Sequence, residues 1–246
     1  MTNRTAALFE AIDATWPAAH QFISGPWLLR EGQGGGKRVS AANAVQPVDA
    51  NAISLAEDEM RAFNQPPLFM LRDGDEKLDR MLEQQGYQIV DPVVVLTCPI
   101  ARLTDQPIPP VTTFVIWEPL AIMTEIWAAG GIGPARLDVM RRAKTKTAIL
   151  ARNRQKPAGT AFVAAHDKTA MVHAVEVLEA HRREGIAGWI MRQAAFWAQA
   201  QGAQEMAVLC TKANTAALKL YSGLGFEPAA QYHYRYNPDG GDLHDV

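Results

Sequence analysis

Between residues 171 and 201 the hydrophobic period of the chain changes abruptly. Up to Leu178 the segment is apolar and rich in β-branched residues (Val172, Val175, Val177), the composition of a buried strand. From Ile186 to about Gln201 apolar residues recur at Ile186, Trp189, Ile190, Ala194, Trp197 and Ala198. Spacings of three and four predict an amphipathic helix. Between the two periods lies the short basic loop Arg182-Arg183-Glu184-Gly185. A strand that feeds such a loop into a helix N-terminus gathers unpaired N–H groups under the positive end of the helix dipole, which suits a phosphate. Gly185 lets the backbone approach that ligand closely, and Ala187 does so nearly as well.

The same reading covers the rest of the chain. Met206, Val208 and Cys210 alternate with Ala207 and Leu209, which predicts a second buried strand over 204–210. Asn214, Ala217 and Tyr221 then share one face of a helix that stops at Gly225-Phe226. A last strand over 229–236 places Tyr232, Tyr234 and Tyr236 on one face and His233 and Arg235 on the other. Upstream, strands are predicted at 113–117, 147–151, 159–165 and 171–178, with helices at 120–129 and 134–143 between the first two. Pro107, Pro109 and Pro110 mark 103–111 as an extended linker. Before it stand a helix over 5–14 and strand candidates at 26–30 and 38–45, joined as a hairpin by a flexible glycine-rich turn at 32–36. A helix (52–63), a strand (68–71), a helix (76–85) and a strand (88–97) follow.

Composition narrows the function classes. A formal net charge of −2 gives no reason to expect nucleic acid or an anionic membrane as partner. No apolar run approaches the roughly 18 residues of a membrane span, and the start of the chain has no secretory core, since Glu10 and Asp13 interrupt it. The two cysteines suggest a reducing compartment, so a cytoplasmic protein is expected. The six histidines and two cysteines show no metal-ligand spacing.

Taken together, Val177-Leu178, Arg182 through Gly188, and Asn214 through Phe226 resemble the motifs of the GNAT superfamily of acetyl-CoA-dependent N-acyltransferases. The resemblance covers roughly 111–238. It implies an α/β (α+β) chain with a mixed, mostly antiparallel sheet flanked by helices. Superposing Gly86-Tyr87 on Gly225-Phe226 puts Asp75 at the place of Asn214 and Leu82 at that of Tyr221. Residues 1–102 therefore look like a degenerate GNAT-like repeat without the CoA motif, followed by a linker at 103–111 and a catalytic domain at 112–246. The repeated halves and aromatic strands are also compatible with a homodimer.

The resemblance further implies an acetyl-CoA cosubstrate, no metal, and direct transfer of acetyl to the amine of a small molecule or peptide. Val177 and Leu178 would end a splayed strand. Arg182, Arg183, Gly185, Ile186, Ala187 and Gly188 would present amides to the pyrophosphate, and Asn214 would contact CoA, with a helix cap as the rival role. Tyr221 stands where the family keeps a hydroxyl near the CoA sulfur. For the general base, Glu176 ranks just ahead of His173. Their parity differs, so a regular strand would turn them to opposite faces and only a bulge would unite them; a water-mediated base is a third option. Cys210 is expected to be a core residue rather than a nucleophile. Gly34-Gly35-Gly36-Lys37 fails as a P-loop because no Ser or Thr follows Lys37. Gly130–Gly133 reads as a stop and restart between helices that could line the acceptor site. The rival from another class is a non-catalytic acyl-CoA-binding or interaction module.

Overall fold

The computed structural model describes residues 3–238. Helix α1 (Asn3–Thr15) leads to β1 (His20–Ser24) and β2 (Trp27–Glu31). The helical turn α2 (Lys37–Ser40) and the two-residue β3 (Asn43–Ala44) follow, then α3 (Ala50–Ala62), β4 (Leu68–Arg72), α4 (Glu76–Gln84) and β5 (Gln88–Pro99). The second half runs β6 (Thr113–Ile116), α5 (Ala121–Ala129), α6 (Pro134–Arg142), β7 (Thr145–Asn153), β8 (Lys156–His166) and β9 (Thr169–Val177). It ends with α7 (Ile186–Ala200), β10 (Glu205–Thr211), α8 (Thr215–Gly223) and β11 (Glu227–Tyr236).

One eight-stranded sheet, ordered β4-β11-β5-β10-β9-β8-β7-β6, takes strands from both halves, and β1-β2-β3 form a small second sheet. Every pairing in the large sheet is antiparallel except β9 with β10. Strand β5 separates β10 from β11, and β11 separates β4 from β5. Each half thus lodges its last strand inside the other. The register is reciprocal: Val93 pairs with Thr211 as Tyr232 pairs with Arg72, and Thr97 with Ala207 as Tyr236 with Leu68.

The two faces of the sheet are covered differently. Ile186, Ile190, Ala194 and Ala198 of α7 are buried against Ile149, Val163 and Val172, which accounts for the helical spacing in the sequence. Fully burying a side chain of isoleucine size stabilises by roughly 1.5–3 kcal/mol. On the opposite face Leu8, Phe9 and Ile12 of α1 pack with Tyr232 and Tyr234. The alternation of β11 holds: His233 and Arg235 turn to the other side, and both bond Asp79 of α4. The proline-rich connection is anchored at its start, where Leu103 is fully buried and its carbonyl accepts from Arg192.

One segment departs from the sequence reading. The tight hairpin joins β2 to β1 through Gly25-Pro26; β2 does pair antiparallel with the 38–45 segment, but only through β3, because Lys37–Ser40 form a helical turn. Strand β1 escapes the sequence reading because it is largely exposed and polar. The 32–36 segment is a packed loop. A Cβ on Gly35 would lie 2.9 Å from Val39 Cγ2, and one on Gly32 would overlap the Ser40 hydroxyl. Gln65 ties the loop down, accepting from Gly32 N–H at 2.6 Å and donating to Arg30 O at 2.9 Å.

Candidate functional site

The site begins where the sheet parts. Strands β9 and β10 pair in parallel from Thr169–Glu205 to Val172–Val208, and no further, although β9 runs on to Val177 and β10 to Thr211. The cause is a bulge in β9. Phe162 of β8 faces His173 but Thr160 faces Glu176, and Ala174 takes a φ of +52°. A bulge bends its strand and redirects the side chains around it. The parity conflict between His173 and Glu176 is thereby removed, and both line one cavity of about 480 Å³ between β9, β10 and α8.

Val177, Arg182, Ala187, Asn214 and Tyr221 line the same cavity. Leu178, Arg183, Gly185, Ile186 and Gly188 do not line it but form the adjoining loop and first turn of α7. Gly185 is the N-cap of α7 with φ +80°, in the left-handed region that favours glycine, and no side chain caps the helix. Trp189 N–H is the first to bond back, to Gly185 O at 3.2 Å, so the N–H groups of Ile186, Ala187 and Gly188 have no helix partner. Nothing lies within 4 Å of a Cβ placed on Gly185 or Gly188, which leaves a phosphate room to approach. The Ile186 side chain is core, and Leu178 N–H donates to Ala158 O at 2.9 Å. Arg182 folds back, its Nε donating to Val177 O at 3.2 Å, while the Arg183 side chain is exposed. The residues present fit a pyrophosphate held by backbone.

Asn214 caps α8: its side chain accepts from Ala217 N–H at 3.0 Å. Tyr221 is buried beside Phe226, ring centroids 5.6 Å apart, and burial pushes its hydroxyl well above the usual tyrosine range. It is therefore a neutral donor at physiological pH, and its ring is sheltered rather than water-facing. Burial likewise raises the Glu176 carboxyl, with Arg182 pulling the other way. The Glu176 carboxylate fills the space beside Gly130, where an added Cβ would stand 2.7 Å from both oxygens. His173 is buried and held well below its ordinary pKa, first by desolvation and then by Arg38. Its Nδ1 faces Arg38 Nη1 at 3.1 Å and its Nε2 faces Thr15 Oγ1 at 3.0 Å, so both ring nitrogens are engaged within the protein. Burial also raises the Cys210 thiol, which keeps it protonated and a poor nucleophile.

Sequence reasoning missed a second chamber of about 290 Å³ on the far side of the parted strands. Trp16, Gly36, Arg38, Ile132, Arg136 and Tyr234 help to line it, and Arg38, His173, Ala174 and Cys210 border both cavities. Gly130 ends α5 and Gly133 with Pro134 starts α6, as expected, and Ile132 between them reaches this chamber. The one local signal was the glycine-rich loop before Arg38, which fails as a phosphate loop yet packs Arg38 against the bulge. Among the described residues, no group of three or more His, Cys, Asp or Glu is placed to hold a metal, and no helix is long and apolar enough to cross a membrane.

Comparison with known proteins agrees with this geometry. Residues 118–226 match the family model described as the Acetyltransferase (GNAT) family. The chain is 26% identical over 232 residues to an uncharacterized N-acetyltransferase, YobR, of Bacillus subtilis (strain 168), covering 90% of this chain and 94% of that one. It shares its fold with a GCN5-related N-acetyltransferase from Kribbella flavida, at a TM-score of 0.69, 23% identity and coverage of 98% and 97%. A tandem GNAT protein from the clavulanic acid biosynthesis pathway aligns at a TM-score of 0.59, 12% identity and coverage of 82% and 76%. With the parted parallel strands, the uncapped α7 and the α8 tyrosine in one cleft, residues 118–226 of this chain are an acetyltransferase domain of the GNAT family.

Proposed function

We propose that the chain transfers an acetyl group from acetyl-CoA to the amine of a small molecule or peptide, directly and in a ternary complex. The observation that carries this reading is the meeting of two cavities at the parted β9–β10 edge, one beside the phosphate cradle and one on the opposite side. Acetyl-CoA supplies the activated acyl group as a thioester. The N–H groups of Arg183 and of Gly185 through Gly188 hold the pyrophosphate, the Arg182 N–H being bonded to Glu179 O at 3.2 Å, and Val177 and Asn214 line the path of the pantetheine arm beside Leu178. Glu176, raised by desolvation, accepts the proton that the attacking amine must lose. Tyr221, a protonated hydroxyl, donates to the departing sulfur as the carbon–sulfur bond breaks. His173, with both nitrogens occupied, acts through Arg38 as a positioning residue rather than as the base.

We further read residues 1–102 as a degenerate GNAT-like domain, 103–111 as linker and 112–246 as the catalytic domain, in a cytoplasmic protein. Support for the repeat comes from equal offsets. Asp75, α4 and β5 stand to one another as Asn214, α8 and β11 do, and Tyr87 N–H bonds Leu82 O at 3.0 Å as Phe226 N–H bonds Tyr221 O at 3.0 Å. The first half has filled its anion site itself, because the Asp49 carboxylate caps α3 by accepting from Ala52 N–H at 2.9 Å. The two buried free thiols, Cys98 and Cys210, support a reducing compartment.

Thermal stability with acetyl-CoA tests the reading. Ligand at a hundred times its dissociation constant adds about 2.7 kcal/mol to the folded state. Gly185→Val, strained at positive φ, is expected to abolish that gain. A wild-type protein indifferent to acetyl-CoA, or a Gly185→Val protein that still responds, refutes the cradle.

A further inference from the structure

The second chamber has an unbalanced charge. Its charged lining comprises Lys37, Arg38, Arg136 and Asp91, with His173 held neutral. Lys37 pairs with Asp91 at 3.0 Å, which leaves two arginines. Among the described residues no carboxylate lies within ion-pair distance of either. Arg38 is half-buried over the Trp16 ring, 5.4 Å from its centroid, with Nη1 held by His173. Its Nε is shut off from solvent and bonds nothing. Arg136 stands at the Gly36 side, its only side-chain hydrogen bond among the described residues a 3.4 Å contact with Gly131 O. A shielded guanidinium without an anion is costly to maintain, and a ligand that brings one offsets the cost.

Resting on the acetyl-transfer reading above, we propose that the acceptor amine carries a carboxylate, and that Arg38, assisted by Arg136, receives it in this chamber. Guanidinium and carboxylate match as planar, two-pronged partners. The chain Arg38–His173–Thr15 fixes the guanidinium before the substrate arrives, since Thr15 Oγ1 is itself anchored on Ala11 O at 2.6 Å. A carboxylate placed there leaves the amine free to reach the gap between β9 and β10 that Ala174 and Cys210 border from both sides. The volume of about 290 Å³ lies at the small end of ligand sites, which run from roughly 300 to 1,000 Å³. The substrate class is therefore a small amino acid or the end of a short peptide.

The test is CoA release from acetyl-CoA with three matched series: free amino acids, their primary amides and the corresponding decarboxylated amines. Dipeptides with free or amidated C-termini separate an amino acid from a peptide as the source of the carboxylate. We expect the best acids to exceed their amides at least tenfold in kcat/KM. Arg38→Gln should collapse that ratio towards one, chiefly through KM, Arg38→Lys should keep part of it, and the rim variant Arg136→Gln should lower it less. Amides or plain amines that match the acids in the wild type overturn the proposal, as does a ratio unchanged in both glutamine variants. If no carboxylate-bearing amine in any series releases CoA, the proposal also falls. The wider reading is judged separately, by acetyl-CoA stabilisation and its loss in Gly185→Val.

Discussion

Glu176 and Tyr221 occupy one cleft, and their surroundings shift both upward in pKa for the same reason, loss of water around the charged form. For Tyr221 the shift secures a proton to give. Tyr221→Phe keeps the ring and its contact with Phe226, so the melting temperature should hold while kcat falls by about a hundredfold or more, the usual worth of a positioned acid. For Glu176 the shift sets a pH window. A base must be deprotonated, so the rate is expected to climb with pH through a carboxylate pKa above the ordinary 4.5, and Glu176→Gln should remove that limb along with most of the activity. The stability sign runs the other way. Between the unfolded value of 4.5 and the raised folded value the native state binds more protons, so stability falls as pH rises across that window. Glu176→Gln, with no charge to desolvate, should melt higher than wild type at pH 7. A calorimetric series from pH 4 to 8 checks both arms.

At the scale of elements, the end of α5 sets the place of the Glu176 carboxylate, the proposed base. The backbone at Gly130 is ordinary for any residue, φ −87° and ψ 8°, so Gly130→Ala leaves the helix end intact. What the methyl meets is the Glu176 carboxylate. We expect kcat to drop at least tenfold in Gly130→Ala with little change in the urea midpoint, and a fully active variant would show that Glu176 need not stand where it does. The bulge in β9 and the uncapped start of α7 belong to the same scale. Each breaks a regular element: the bulge opens the sheet and the missing cap frees N–H groups, and both openings face the cleft.

At the scale of the whole molecule the exchange of β5 and β11 joins the halves into one sheet. Removing either half strips the other of strands on which its backbone pairing depends. Urea unfolding should therefore be a single transition, coincident by tryptophan fluorescence and far-UV circular dichroism. Residues 1–110 and 111–246 made separately should fail to fold alone and regain acetyl-CoA binding only when refolded together. Two resolved transitions, or a folded separate half, would count against this cooperativity. The exchange also brings α1 and α2 onto the second half, and through them Trp16 and Arg38 reach the second chamber.

What could be read from the chain alone was local. The strand ending at Val177, the loop and helix start from Arg182 to Gly188 and the helix face of Asn214, Ala217 and Tyr221 each lie within a few turns of chain, and hydrophobic period and glycine placement specify them directly. The helix that follows Asp75 and its stop at Gly86-Tyr87 were legible for the same reason. The bulge that unites His173 with Glu176 was not, because it depends on how β9 registers against β8. Nor was the helical turn α2, which buries Val39 and Ser40 and leaves only the end of the expected strand to form β3. The second chamber was least legible of all. Trp16, Arg38, Arg136 and Tyr234 are scattered along the sequence, and only the interleaved sheet and the packing of α1, α2 and α6 around it bring them together. Periodicity encodes which face of an element is buried; which distant faces meet is decided by the packing of the whole chain.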